Sequence, residues 1–341
     1  MTIFPRPPEV RLPEVLVPVV DRHGRRKRKL RVSLTDRCNF RCPYCMPEQP
    51  QFMERADRLS RAELHQLLQI FVVELGITDL RLTGGEPLLR RDLEGIVEDS
   101  QRLRELGLRR VSLTTNGALL ANRATALKAA GLDDLNISLD ALTPGTFAKL
   151  SGGRAVAPVL AGIRAARDAG LALKLNAVII RNINEDEILP LARFAVAEKL
   201  PLRYIEFMPL DGRGEWSRDR VVPEAEILSH LRGEFAVTAE ARGNAPATTY
   251  KLNVGNEIGV IATVSNPFCA SCDRLRLTAD GSLYPCLFSP QGTPLRDAMR
   301  AGASAADLVK TIRNAVWNKD AGYIAHPGYT ERPIAMNHLG G

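Results

Sequence analysis

Short runs rich in leucine, valine and isoleucine alternate, over the first two thirds of the chain, with longer stretches whose apolar positions recur every three or four residues. The short runs predict strands at 30–35, 79–85, 110–116, 134–140, 171–180 and 202–210. The longer stretches predict helices at 60–75, 91–106, 119–130, 155–169 and 185–199. Cap-like residues open several helices, Ser60 and Asn184 among them. Gly76, Gly107, Gly131 and Gly170 stand where helices should stop. Most of the strands show little strict alternation, the pattern of strands covered on both faces.

Six strand–helix units in succession imply a parallel sheet with right-handed crossovers. Six strands are fewer than the eight of a closed barrel. The expected fold is therefore α/β: a partial, open, six-unit β/α barrel of the TIM type over 21–220. An extended leader, 1–20, precedes it, and a C-terminal element, 221–341, is expected to cover the barrel mouth. In that element, 250–265 reads as two short strands around a turn, and 275–288 as a hairpin with Asp280-Gly281 at its tip. A helix near 303–316 and a polar tail follow. Chemistry in such barrels gathers at the C-terminal ends of the strands, and the unusual residues of this chain lie there.

At 45% hydrophobic and 25% charged, the composition is that of an ordinary soluble globular protein. No apolar run has the length of a membrane helix. The proline-broken N-terminus reads as a leader and not as a signal peptide. A cytoplasmic location is expected. Much of the net charge of +7 sits in the run at 22–31, RHGRRKRKLR. It reads as a solvated basic arm. Nucleic-acid binding is the alternative, but aromatic interleaving and a following motif are both missing. Neither a nucleic acid nor a membrane is expected as partner, whereas a nucleotide triphosphate would account for buried arginines.

The six cysteines form two triplets. In a long cytosolic chain such groups bind metal or do redox chemistry more often than they form disulfides. Cys38, Cys42 and Cys45 follow the first predicted strand. A structural zinc site needs a fourth ligand, and the nearest histidines, His23 and His65, sit in no paired motif. A four-iron cluster held by three thiolates instead leaves one iron open. Cys269, Cys272 and Cys286 repeat the arrangement, again one ligand short of a zinc ribbon. Between them Arg274 and Arg276, two apart on a predicted strand, share a face. Guanidinium forks at that spacing suit phosphate oxygens.

With Tyr44 just before its last cysteine, the first loop resembles the signature of the radical S-adenosylmethionine enzymes. That resemblance implies a [4Fe-4S] cluster whose open iron is chelated by S-adenosyl-L-methionine, which is cleaved reductively to a 5′-deoxyadenosyl radical. LTGGEP at 82–87 is similar to the family's methionine-binding segment. There Gly85 would let backbone approach the ligand and Glu86 would add charge. By the same resemblance Ser138 would contact the cofactor and Met208 would lie near its adenine.

Taken together, LRVSLTDRCNFRCPYCMP, RLTGGEPLLRRDL, LTTNG, NISLDAL, YIEFMPL, CASCDRLRLT and Gly340-Gly341 resemble the GTP 3′,8-cyclase family of molybdenum cofactor biosynthesis. This implies two [4Fe-4S] clusters, the second with an open iron facing the guanine. It implies GTP held by Arg31, Arg81, Thr114, Lys174, Arg203, Arg274 and Arg276. It also implies a Gly340-Gly341 tail that enters the active site and assists radical initiation. GTP would lose its 3′ hydrogen, C3′ would join C8, and reduction with protonation would give 3′,8-cyclo-7,8-dihydro-GTP. An electron donor and a downstream cyclic pyranopterin monophosphate synthase are the implied partners, and a homodimer stays open. Asp79 departs from the pattern, being acidic where some relatives carry a basic residue near the phosphates, so phosphate contacts are expected to be shared differently. Two other readings stay open: a radical enzyme with an auxiliary cluster and another substrate, and a zinc protein that binds nucleic acid through the basic arm.

Overall fold

Six strands lie side by side in chain order: β1 (Lys29–Ser33), β2 (Asp79–Thr83), β3 (Arg110–Thr115), β4 (Asp134–Ser138), β5 (Ala172–Ile179) and β6 (Leu202–Glu206). Each pairs in parallel with the next. The computed structural model describes residues 17–210, 213–240, 242, 245–323 and 335–341, so most of the leader expected at 1–20 lies outside the described residues.

The crossovers include helices Arg61–Val73, Leu93–Gln101, Ala124–Ala129, Ala157–Asp168 and Ile188–Glu198, close to the predicted positions. Ser60 forms a capping box with Glu63, satisfying two end donors reciprocally. Asn184 stands at the N-cap position before Glu185–Glu187, but its side chain makes no capping bond. Its side chain is buried, accepts from Ile180 N at 2.8 Å, and donates to the carbonyls of Asp140 and Val178 at 2.8 Å. Backbone groups just past β5 are buried and need partners, which outweighs a cap at a surface helix. Helices Pro144–Ser151 and Glu224–Arg232 have no counterpart in the sequence pattern.

The C-terminal segment supplies β7 (Val237–Ala239), β8 (Thr248–Leu252), β9 (Glu257–Ile261), β10 (Arg274–Leu277), β11 (Ser282–Tyr284) and β12 (Thr293–Pro294). β9 joins β6 in parallel, and β10 joins β1 in parallel. The hairpins β8–β9 and β10–β11 fall where the turn signals put them. The result is an open twelve-stranded sheet in the order β12-β11-β10-β1-β2-β3-β4-β5-β6-β9-β8-β7. Residues 221–341 thus extend both edges of the partial barrel.

One face of the inner strands is apolar and fully packed against helices: Leu30, Val32, Leu80, Leu82, Leu135, Ile137, Leu202 and Tyr204. The alternate positions are polar: Arg31, Arg81, Thr114, Asn136, Lys174, Asn176 and Arg203. This corrects the reading of strands with little alternation, covered on both faces: here the faces alternate, one apolar and one polar. The inner face lines ligand space instead of a layered side-chain core.

The basic run is not a solvated arm either. Val20 and Arg26 bridge in a tight hairpin turning at Gly24, with φ 74°. Asp21 gathers it, accepting from Arg25 Nε at 2.7 Å and Lys27 Nζ at 2.6 Å. Lys27 is fully buried and Arg25 nearly so, while Arg26 and Arg28 are exposed.

Candidate active site

β1 and β10 are parallel, with Lys29 opposite Arg274. Cys38–Cys45 come after β1 and so lie at one end of the barrel, whereas Cys269–Cys272 come before β10 and lie at the other. Cys286 follows the antiparallel β11 and returns to that second end. A cavity of about 270 Å³ lies between and is lined by all six cysteines, which are free thiols.

At the first end the loop is held by backbone. Cys45 N and Met46 N both donate to Cys42 O. Gly84 and Gly85 pack against the start of the loop: a Cβ at Gly85 would fall 2.4 Å from Arg37 O, and one at Gly84, with φ 151°, 2.5 Å from Thr35 O. The glycines are therefore required first for loop-to-loop contact, with both backbones left on the cavity wall. Glu86 does not reach the cavity. It accepts from Leu88 N, Asn116 N and Thr115 Oγ1, and burial pushes its carboxyl up to about 7.

Phe40 N–H and Asn116 Nδ2 point at Cys38 Sγ, at 3.4 and 3.8 Å. Burial pushes the Cys38 thiol up to about 11 and Cys45 up to about 12, and it raises Cys42 also. Tyr44 donates to Asp140, whose carboxyl is raised by burial to about 6 and also accepts from Val178 N. Ser138 and Met208 line the same end.

The middle of the barrel carries cations. Burial, then the charges of Arg276, Arg81, Arg274 and Arg203, hold the Arg31 guanidinium well below its usual range. Burial brings Arg81 down to about 10 although Asp134 opposes the shift, and Lys174 and Arg203 are lowered for similar reasons. Asp134 is the near counter-charge, 3.9 Å from Arg81 and 2.6 Å from Arg110. Arg81 Nη1, Thr114 Oγ1, Asn136 Oδ1 and Asn176 Oδ1 are buried without a hydrogen-bond partner. Cations this crowded, beside orphaned polar atoms, are what a bound polyanion with polar edges would satisfy. Arg31, Thr114 and Arg203 reach the cavity wall, whereas Arg81 and Lys174 are not on it. Asp79 lies in a separate cleft at the foot of the barrel, directly opposite Arg110 in register. The basic charge at this level thus comes from the neighbouring strand.

The second end is richer in cations than the first. Arg274 stacks on Phe268 at 4.5 Å. Lys319 Nζ lies 3.3 Å from Cys272 Sγ. Burial opposes charge at Cys272, yet Lys319 and Arg274 bring the thiol down to about 6, while burial raises Cys269. The N-terminal hairpin supports this loop from below: Arg25 donates to Cys269 O at 2.8 Å and Lys27 to Cys272 O at 2.7 Å.

The tail enters the cavity. After the short helix Met336–Leu339, Gly340 turns at φ 78° and its carbonyl accepts from Arg276. Thr83 Oγ1 donates to Gly341 O at 2.9 Å, and Asn337 Nδ2 donates to Asp36 O at 3.0 Å. Gly341 lines the cavity.

Residues 32–195 match the model of the Radical SAM superfamily, and 200–324 that of Molybdenum Cofactor Synthesis C. The chain is 46% identical over 331 residues to the GTP 3′,8-cyclase of Streptomyces coelicolor, covering 95% of this chain and 96% of that one. It belongs to the GTP 3′,8-cyclase family. Cyclases of Corynebacterium glutamicum and Rhodopirellula baltica are each 44% identical across 95% of the chain, covering 89% and 92% of their own lengths. In fold it is similar to Streptococcus suis SuiB bound to S-adenosylmethionine, with TM-score 0.56 at 13% identity over 81% of this chain. It spans 64% of that chain, a little under two thirds.

The [4Fe-4S] clusters of the cyclase family fit the residues present. Among the described residues no three His, Cys, Asp or Glu side chains gather closely enough to grip one metal ion. Each set offers three thiols on the cavity wall, a donor set that suits a cluster whose irons take one sulfur each better than a closed tetrahedral zinc site with four protein ligands. Donors aimed at sulfur, from Phe40, Asn116 and, at Cys286, Phe288 N at 3.4 Å, are a cluster's usual surroundings. Sequence reasoning missed Asn136, Asn176, Asp134, Arg110 and Lys319. The first three announce themselves only as polar residues two apart within apolar strands. Among the described residues no helix is long and apolar enough to cross a membrane.

Proposed function

We propose that the protein is a GTP 3′,8-cyclase that converts GTP to 3′,8-cyclo-7,8-dihydro-GTP for molybdenum cofactor biosynthesis. Beyond family membership, one observation supports this most directly. The cavity between the two cysteine sets is walled by arginines and by buried polar atoms without partners.

Cys38, Cys42 and Cys45 would hold one cluster and Cys269, Cys272 and Cys286 the other. When bound, these clusters and S-adenosylmethionine would supply reductive, one-electron radical chemistry. The chain's own residues do the rest. Arg31 and Arg203, which reach the cavity wall, neutralise the phosphates, the charges of Arg81 and Lys174 add to theirs from off the wall, and Thr114 donates to the phosphates. Arg274 and Arg276 orient the nucleotide toward the second set. Tyr44, Gly85, Ser138 and Met208 seat the cofactor, with Tyr44 fixed in place by Asp140. Phe40, Phe147 and Leu210 keep water from that end of the cavity. Gly340 and Gly341, held by Arg276 and Thr83, fix the geometry in which initiation occurs. The same reading calls for a one-electron donor and for cyclic pyranopterin monophosphate synthase as consumer of the product, in a cytoplasmic setting that suits six free thiols.

The test is an anaerobic assay of protein reconstituted with iron and sulfide, given GTP, S-adenosylmethionine and a strong reductant. A cyclised nucleotide and GTP-dependent 5′-deoxyadenosine are expected. Formation of 5′-deoxyadenosine regardless of GTP, with no cyclised product, would refute the assignment.

A further inference from the structure

The second cysteine set is surrounded by cations from two distant parts of the chain. Lys319 follows the long helix Ala305–Trp317 and is nearly buried, at 4% exposure. Its Nζ lies 3.3 Å from Cys272 Sγ and 3.3 Å from Arg274 O, and it lines the cavity. The segment beyond it is fastened in place. Arg25 donates to Ala321 O and Asp320 O, each at 2.6 Å, while also holding Cys269 O. A Cβ at Gly322 would come within 3.2 Å of Cys269 Sγ, so the segment lies directly against the sulfurs. The Asp21–Arg25–Lys27 hairpin therefore clamps the cysteine loop and the Lys319 segment into one unit.

Among the described residues the groups hydrogen-bonded to sulfur at the first set are neutral. Phe40 N–H, Asn116 Nδ2 and the adjacent Asn39 side chain contact Cys38 Sγ, the Tyr44 side chain bonds Cys42, and the nearby charge of Arg41 is opposed by that of Glu86.

We propose that Lys319 is a positioning residue for redox poise: held against Cys272 by the N-terminal hairpin, it makes the group at Cys269, Cys272 and Cys286 easier to reduce than the group at the first set. This rests on the reading that these cysteines hold an iron–sulfur cluster. The physics is short. Reduction adds one negative charge to the cluster and its thiolates. A buried ammonium in contact with one sulfur stabilises the more negative state most, through both its charge and its hydrogen bond. The basic run at the N-terminus, which reads from sequence as a surface feature, becomes the support of a redox site.

The experiment is an anaerobic redox titration followed by electron paramagnetic resonance, on full-length protein reconstituted with iron and sulfide. Cys38→Ala/Cys42→Ala/Cys45→Ala isolates the second site. In that background Lys319→Met is expected to shift the oxidised-to-reduced ratio at fixed potential at least tenfold toward oxidised, about 59 mV downward for a one-electron couple. Lys319→Arg should restore most of the shift. If Lys319→Met fails to load iron, Lys319→Gln, which keeps a donor without the charge, decides on the same criterion. Full iron content with an unmoved potential in the neutral variant overturns the inference. Failure of the triple-cysteine background itself to take up iron and sulfide overturns the cluster reading, and the inference with it.

Discussion

Thr83 and Gly341 are hydrogen-bonded although 258 positions separate them. Thr83 is the last residue of β2, directly before the Gly84-Gly85 pair, so the tail is tied to the strand end that shapes the first cysteine loop. Gly340 sits against the Thr83 methyl, where an added Cβ would fall 2.5 Å away, and it holds φ at 78°. Removing Gly340 and Gly341 is expected to leave iron content and the melting temperature nearly unchanged. Cyclisation should fall on the order of 100-fold, the usual cost of misplacing reacting groups. Product formation and iron analysis on the same preparation check this, and activity within threefold of wild type removes the tail from the mechanism.

Gly85→Ala should act at the first cysteine set without touching a cysteine. The new Cβ would meet backbone oxygen of Arg37, which has no flexible end to yield. The loop must shift, at about 1–3 kcal/mol, and iron content should drop toward that of the second site alone. Unchanged iron and sulfide counts would show the loop to be more compliant than its packing indicates.

Arg31 carries charge where Arg276, Arg81, Arg274 and Arg203 all oppose it. Function and stability should therefore pull apart. Arg31→Met is expected to raise the ligand-free melting temperature by roughly 2 °C or more. GTP binding should weaken about tenfold or more, as for loss of a charge-assisted hydrogen bond. Calorimetric binding and thermal melts of one preparation measure both. A lowered melting temperature would mean that the guanidinium is better satisfied than its neighbours suggest.

Acid stability should depend on Asp21. Burial works against its charge, but hydrogen bonds from Lys27 and Arg25 outweigh this and hold the carboxyl at about 2, against 3.8 ordinarily. A depressed acid stabilises the fold above its unfolded value and loses that contribution as pH falls from about 4 through 2. The full contribution is roughly 2 kcal/mol. Lys27 itself sits at about 8, because burial and Lys319 oppose its charge, so the acid limb of the profile belongs to Asp21. Denaturant melts between pH 2 and 6 should show a steeper loss in wild type than in Asp21→Asn. Parallel profiles would remove Asp21 from the account.

The parts that were legible in the sequence are those decided locally. Gly76, Gly131 and Gly170 adopt positive φ just past their helices, because only a residue without Cβ does so cheaply; Gly107 also has positive φ but stands six residues beyond Gln101, where its helix ends. The Ser60 capping box and the hairpin at Asp280-Gly281 are equally local. Both cysteine sets were found by spacing. What stayed hidden depends on partners far along the chain. Arg25 and Lys27 look solvated until Cys269 and Cys272 come to them, and Lys319 carries no pattern at all. Asn184 has the composition of a cap, yet it serves buried carbonyls beside β5. On the polar inner face Arg31, Arg81, Thr114, Lys174 and Arg203 came from the family resemblance, whereas Asn136 and Asn176 were missed because alternation was diluted by apolar neighbours, and their meaning depends on knowing that the barrel interior is a cavity.

The pairing of β1 with β10, and of β6 with β9, also sets a timetable. As the chain is synthesised, each inner strand finds its neighbour soon after it emerges. β1 and β6 keep bare edges until the segments near Ile258 and Leu275 arrive, and bare edges recruit other chains. Contacts so far apart in sequence form slowly. At about 5–20 residues per second on the ribosome, the first cysteine loop waits many seconds for the strand that carries Arg274 and Arg276. Until the last strands dock, a growing chain therefore displays a trough holding the first three thiols between two unpaired rims.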